Sequence, residues 1–100
     1  MTYQVRVAAE VAEALDRLRG IDPAGAELVV GTIAALAADP RPAGVHVLNE
    51  AEGLHRVHLS RLDPYTRRSL RYRIMYRIQD ADLMVIVIMA GALPPTSRRR

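Results

Sequence analysis

The hydrophobic periods of this chain predict an α+β domain: an N-terminal strand, two helices, then an antiparallel meander sheet packed on the helices. Three observations carry that expectation. Residues 3–7 alternate with period two, residues 8–38 change to helical spacing, and the period-two signal returns at residue 45 and runs to residue 91. The helical stretch divides at an Asp-Pro pair, which makes two helices of it.

Tyr3, Val5 and Val7 fall on one side of the first strand, with Gln4 and Arg6 on the other, so one face should be buried. Ala8, Val11, Leu15 and Leu18 then recur at helical spacing among Glu10, Glu13, Asp16 and Arg17, predicting a helix to about Arg19 that Gly20 stops. Asp22 before Pro23 supplies an N-cap with proline at the first helical position. The second helix should reach about Ala38, with Leu28, Val29, Ile33 and Leu36 inward and with Gly25 and Gly31 weakening it. Asp39, Pro40, Arg41, Pro42 and Gly44 end it and release an extended chain.

Residues 45–48 form a short strand, and residues 54–59 place His55, Val57 and Leu59 on one face with Leu54, Arg56 and His58 on the other. The clearest alternation follows: Leu70, Tyr72, Ile74, Tyr76 and Ile78 oppose Arg71, Arg73, Met75 and Arg77. Residues 83–89 are apolar throughout, as expected of a central strand covered on both faces. Asp80, Ala81 and Asp82 make the tight connection before it, so the last two strands should form a hairpin. One domain is expected over residues 1–93, followed by a flexible basic tail over 94–100.

A chain of 100 residues, half of them apolar, holds one modest core. Without cysteine it has no disulfide framework, thiolate metal site or cysteine nucleophile. The apolar run from Leu83 to Leu93 is too short to cross a membrane as a helix, and Glu10, Glu13 and Asp16 interrupt the region where a signal peptide would be apolar. A cytoplasmic protein with no membrane partner is the expectation. The net charge of +3 is unevenly spread, because residues 1–53 hold four arginines against eight acids while residues 54–100 hold ten against three. That polarity points the C-terminal half toward an anionic partner.

Residues 55 and 58 have opposite parity, so His55 and His58 cannot share a metal; His55 reads as a core-edge residue, and His46 has no evident ligand partner. Tyr72 and Tyr76 lie at core parity and read as packing residues.

The phrase "LAADPRPAGVHVL" looks like the end of the second helix and first meander strand of the RelE/ParE superfamily, the toxins of type II toxin–antitoxin systems. "GLHRVHL" resembles the next strand of that family, "YRIMYRI" its arginine-rich strand and "LMVIVIMAG" its last strand with the closing glycine. The resemblance spans Tyr3 to Gly91. It implies a toxin silenced by a cognate antitoxin, a protein whose tail wraps over it in a hetero-oligomer. RelE-type members are endoribonucleases, or mRNA interferases, that cleave messenger RNA in the ribosomal A site. ParE-type members inhibit DNA gyrase on much the same fold, and fold alone does not choose between them.

In the RelE-type reaction the ribose 2′-hydroxyl attacks the neighbouring phosphate, which needs cations around the phosphorus and two proton transfers, with no metal and no cofactor. Arg56, His58 and Arg73 fall where the family carries its basic sheet residues, and the strand parities turn all three to the face away from the core. Arg73 would clamp the phosphate, because a guanidinium grips two oxygens at once. His58 would be the general base, as the residue type that titrates near neutrality.

Two departures stand out. RelE-type ribonucleases supply a further arginine and a tyrosine after the closing glycine, whereas Ala92, Leu93, Pro94 and Pro95 follow Gly91 and no tyrosine follows Tyr76. Residues 60–71 also carry an insertion with Arg61, Arg67, Arg68 and Arg71 against the single acid Asp63, which reads as an elongated basic hairpin. Those arginines, with Arg77, are candidate RNA contacts; otherwise the hairpin is a solvated arm. Three readings therefore stand: a RelE-like ribonuclease of weakened catalysis, a ParE-like inhibitor of gyrase, or a degenerate member that only binds its antitoxin.

Overall fold

The computed structural model describes residues 2–94. The elements follow in the order β1 (Gln4–Val7), α1 (Ala9–Ile21), α2 (Pro23–Ala35), β2 (His46–Asn49), β3 (Leu54–Leu62), β4 (Ser69–Gln79) and β5 (Met84–Ala92). The strands form one sheet in the order β1-β5-β4-β3-β2, antiparallel except where β1 runs parallel to β5. Both helices pack on one face of this sheet, α1 against β5 and α2 across β5 and β4. Among the described residues, no helix is long and apolar enough to cross a membrane.

The core lies between the two layers. Val11, Leu15 and Leu18 come down from α1, and Ala26, Val29 and Ile33 from α2, onto Tyr72, Ile74 and Tyr76 of β4 and Val85 and Val87 of β5. Each of the larger side chains contributes on the order of 1.5–3 kcal/mol by leaving water. Tyr72 and Tyr76 are among the most deeply buried, which their core parity required. Burial of a phenol demands a partner for its hydroxyl. Tyr76 donates to the Pro40 carbonyl at 2.7 Å, and burial pushes its pKa up to about 12.

Several expectations need correction. Gly20 does not stop α1; it stays helical with open space around it, and the chain turns at Asp22, whose N–H still bonds Leu18 O at 2.7 Å. The second helix ends at Ala35 rather than Ala38, because its last turn tightens to i−3 bonds at Leu36, Ala37 and Ala38 before Pro40. Leu28 is only half-buried. In β1, Val5 is half-buried and Val7 is 39% exposed, since this edge strand lies at the margin of the helical cover.

Strand β5 is central but covered on one face only. Between Met75 and Tyr76 its register with β4 slips, so that Ile88 is an extra residue and both Ile88 and Met89 turn outward, 41% and 46% exposed. Strand β3 continues three residues past Leu59, and with β4 it forms a long arm in which Ser60 pairs with Arg71 and Leu62 with Ser69. The expected basic tail over 94–100 lies, from residue 95 on, outside the described residues.

Candidate functional site

The sheet face away from the helices is built by parity. Core-facing Val57, Tyr72, Ile74 and Tyr76 oblige their neighbours Arg56, His58, Arg71, Arg73, Met75 and Arg77 to point the other way. The register then brings them together: His58 lies directly opposite Arg73, Arg56 opposite Met75, and Ser60 opposite Arg71. On its other side Arg56 pairs with His46 of β2.

Arg73 sits opposite Gly91, and this glycine leaves room for a shallow recess of about 130 Å³ bounded by Arg73, Met89 and Leu93. One Arg73 Nη leans on the Met89 sulfur at 3.5 Å, a weak contact that leaves the guanidinium available to a stronger acceptor. Arg77 lies on the same face with one Nη bonded to Glu52 at 3.3 Å.

His58 is the group whose titration this environment alters. Burial first, then the charges of Arg56, His46, Arg73 and Arg71, hold its pKa below the usual histidine value, so the neutral imidazole prevails near pH 7. Its ring centroid lies 5.9 Å from that of His46, at an interplanar angle of 47°.

The remaining sequence candidates lie elsewhere. Arg67 and Arg68 stand at the tip of the β3–β4 arm, continuous with the open face along the two strands. The tip is folded around Asp63: Thr66 Oγ1 donates to its carboxylate at 2.8 Å, the Tyr65 N–H at 3.2 Å, and the Arg67 N–H bonds its carbonyl at 2.8 Å. Tyr65 is 93% exposed there.

Arg61 is the exception among the arginines, because it has the parity of Val57 and Leu59 and points to the helical side. Its Nη2 bonds Asp22 Oδ1 at 2.5 Å and its Nε bonds the Tyr72 hydroxyl at 3.1 Å, while Tyr72 donates to the other Asp22 oxygen. That engagement sets Arg61 apart from the cluster around Arg73. His55 is buried, with Nδ1 2.7 Å from Gly53 O and its ring stacked on Tyr76, as befits a core-edge residue.

His46 also reaches this face, which the sequence alone does not reveal. Its facing depends on the register between β2 and β3, which slips between Val47 and Asn49, and a strand of four residues carries too little alternation to set that register.

No protein-family model matches this sequence, and no curated protein matches it. Solved structures do. The chain is similar to the RelBE2 toxin–antitoxin complex of Mycobacterium tuberculosis, with a TM-score of 0.65, 23% identity, and coverage of 93% of this chain and 100% of that one. It is similar to the isolated E. coli RelE toxin (TM-score 0.62, 17% identity, 94% and 87% covered). The intact E. coli RelBE toxin–antitoxin complex gives a TM-score of 0.61 at 18% identity over 93% of this chain and 99% of that one. The helical layer, the mixed sheet and its uncovered basic face thus belong to a protein with the fold of the RelE toxins.

Proposed function

We propose that the protein is the toxin of a toxin–antitoxin pair and that its open sheet face takes ribosome-bound messenger RNA for cleavage. The observation that supports this most is the convergence of Arg56, His58 and Arg73 from adjacent strands on a face that no helix covers among the described residues. A single arginine on a sheet is usually only solvated, but guanidinium groups gathered around a neutral imidazole suit a phosphodiester and its neighbouring hydroxyl. Arg73 grips two oxygens of the scissile phosphate, Arg56 adds charge beside it, and His58 accepts the 2′-hydroxyl proton. An antitoxin is the natural partner for the same face, in keeping with the toxin–antitoxin complexes among the similar structures. Such a target places the protein in the cytoplasm, with the ribosome.

Expression without an antitoxin should arrest bacterial growth, and messenger RNA on programmed ribosomes should show site-specific cuts. Normal growth with folded protein accumulating would overturn the toxin reading; arrest with intact RNA and inhibited supercoiling would favour a gyrase target. Arg73→Ala should remove a charge-assisted contact of about 1.5–3 kcal/mol, roughly a 10- to 160-fold loss of cleavage. Its folding should hardly change. Arg73→Lys should recover little, because a point charge does not reproduce a bidentate grip.

A further inference from the structure

We infer that His46 is a second catalytic residue, the general acid that protonates the leaving 5′-oxygen, and that it works as a couple with His58 across the β2–β3 ladder. The inference rests on the RNA-cleaving reading above and adds to it the group that completes the proton transfers.

Transphosphorylation within RNA moves two protons. The 2′-oxygen loses one as its bond to phosphorus forms, and the 5′-oxygen gains one as its bond to phosphorus breaks, leaving a 2′,3′-cyclic phosphate and a free 5′-hydroxyl. No other reactant enters. A base alone therefore performs half of the task. Of the three histidines, His55 is buried on the helical side, whereas His46 and His58 share the open face. Their centroids are 5.9 Å apart and their planes tilted by 47°, so the rings do not stack and a phosphate can approach both.

The surroundings disfavour two protons on the pair at once. Arg56 on β3 and Arg71 and Arg73 on β4 face the rings, and the Glu52 carboxylate on this side is engaged with Arg77. Two imidazolium rings side by side among these cations repel one another. With His58 held neutral to accept the 2′-hydroxyl proton, His46, its ring centroid 5.9 Å away, is placed to deliver a proton to the 5′-oxygen. Afterwards the roles are exchanged, and proton exchange with water restores them.

The test is single-turnover cleavage of messenger RNA on programmed ribosomes from pH 5 to pH 9, comparing the protein with His46→Gln and His58→Gln. The wild-type profile should be bell-shaped. His46→Gln should lower the plateau about 10²- to 10⁴-fold and abolish the alkaline limb, while His58→Gln abolishes the acidic limb. A substrate with a bridging sulfur in place of the leaving 5′-oxygen gives the decisive comparison, because a thiolate leaves without protonation. His46→Gln should cleave it at nearly the wild-type rate, and His58→Gln should not. His46 is exposed on an edge strand, so unchanged thermal melting is expected and would exclude misfolding as the cause. Unimpaired cleavage by His46→Gln, or equal loss on the oxygen and sulfur substrates, would overturn this inference alone. Absence of any cut by the wild-type protein would overturn the ribonuclease reading and this inference with it.

Discussion

Asp22 ties the junction of the two helices to the sheet. It ends α1, caps α2 by accepting the Gly25 N–H at 3.0 Å, and receives Arg61 and Tyr72 from β3 and β4. Burial pushes its carboxyl upward, but bonds from Tyr72, Gly25 and Arg61 outweigh that and hold it below the usual aspartate range. Gly25 makes the approach possible, because a Cβ there would collide with the Asp22 carboxylate and the Tyr72 hydroxyl. Gly25→Ala sets two effects against each other. Alanine gains up to about 1 kcal/mol of helix propensity, whereas prising apart the network costs about 1–3 kcal/mol for each buried group left unsatisfied, and more than one is disturbed. The variant should therefore melt lower, by roughly 5–10 °C in a domain of this size, as thermal denaturation would show. A raised melting temperature would mean that α2 simply shifts to make room. The Asp-Pro cap was legible in the sequence, since it depends on neighbouring residues. The tie from Asp22 to Arg61 and Tyr72 was not, because nothing local in a chain reports which distant strand will lie over a helix junction.

At the level of elements, the β3–β4 arm separates what alternation can tell from what it cannot. Strong period-two patterning identified both strands and the faces of Arg56, His58 and Arg73. The same parity carries through Leu59 to Arg61, so the inward direction of Arg61 follows once β3 is known to continue, yet the polar run of residues 60–68 hides that continuation. The apolar run of β5 misled for a related reason: composition reports hydrophobicity but not a bulge, and the slip at Ile88 sends two apolar residues outward. Because Leu62 and Ser69 are paired in register, residues 63–68 can be replaced by a two-residue Asn-Gly turn that continues the same hairpin. Cooperative unfolding should survive with little change in midpoint, since the tip makes its hydrogen bonds to itself. A deletion that also removes Arg61 should instead cost about 1–3 kcal/mol by depriving Asp22 of a charged donor. Equal stability of the two deletions in urea would show that the Arg61 contact contributes nothing.

Across the whole molecule, the charge polarity of the sequence becomes a polarity of faces. The acidic N-terminal half supplies the helical layer, with Glu10, Glu13 and Asp16 on α1, and the basic C-terminal half supplies the open sheet face. Even the shortest dimension, 22 Å, exceeds the screening length of about 8–10 Å at physiological ionic strength. The acids of α1 are thus largely screened from a ligand on the far side, and the net charge of +3 understates what that ligand meets. If two to four of Arg56 and Arg73 on the face and Arg67 and Arg68 at the tip meet phosphates, a single-stranded RNA should bind with a log–log salt slope of about −1.4 to −2.8. Arg73→Gln should flatten that slope by about 0.7, the share of one phosphate. Arg19→Gln, which removes a cation already paired with Asp16 on the helical layer, should leave it unchanged. Fluorescence anisotropy with a labelled oligonucleotide between 50 and 300 mM salt, on the order of a twofold change in screening length, would measure both. Equal flattening by the two substitutions would mean that RNA senses only the overall charge, and a slope near zero would mean that the basic face does not bind phosphates at all.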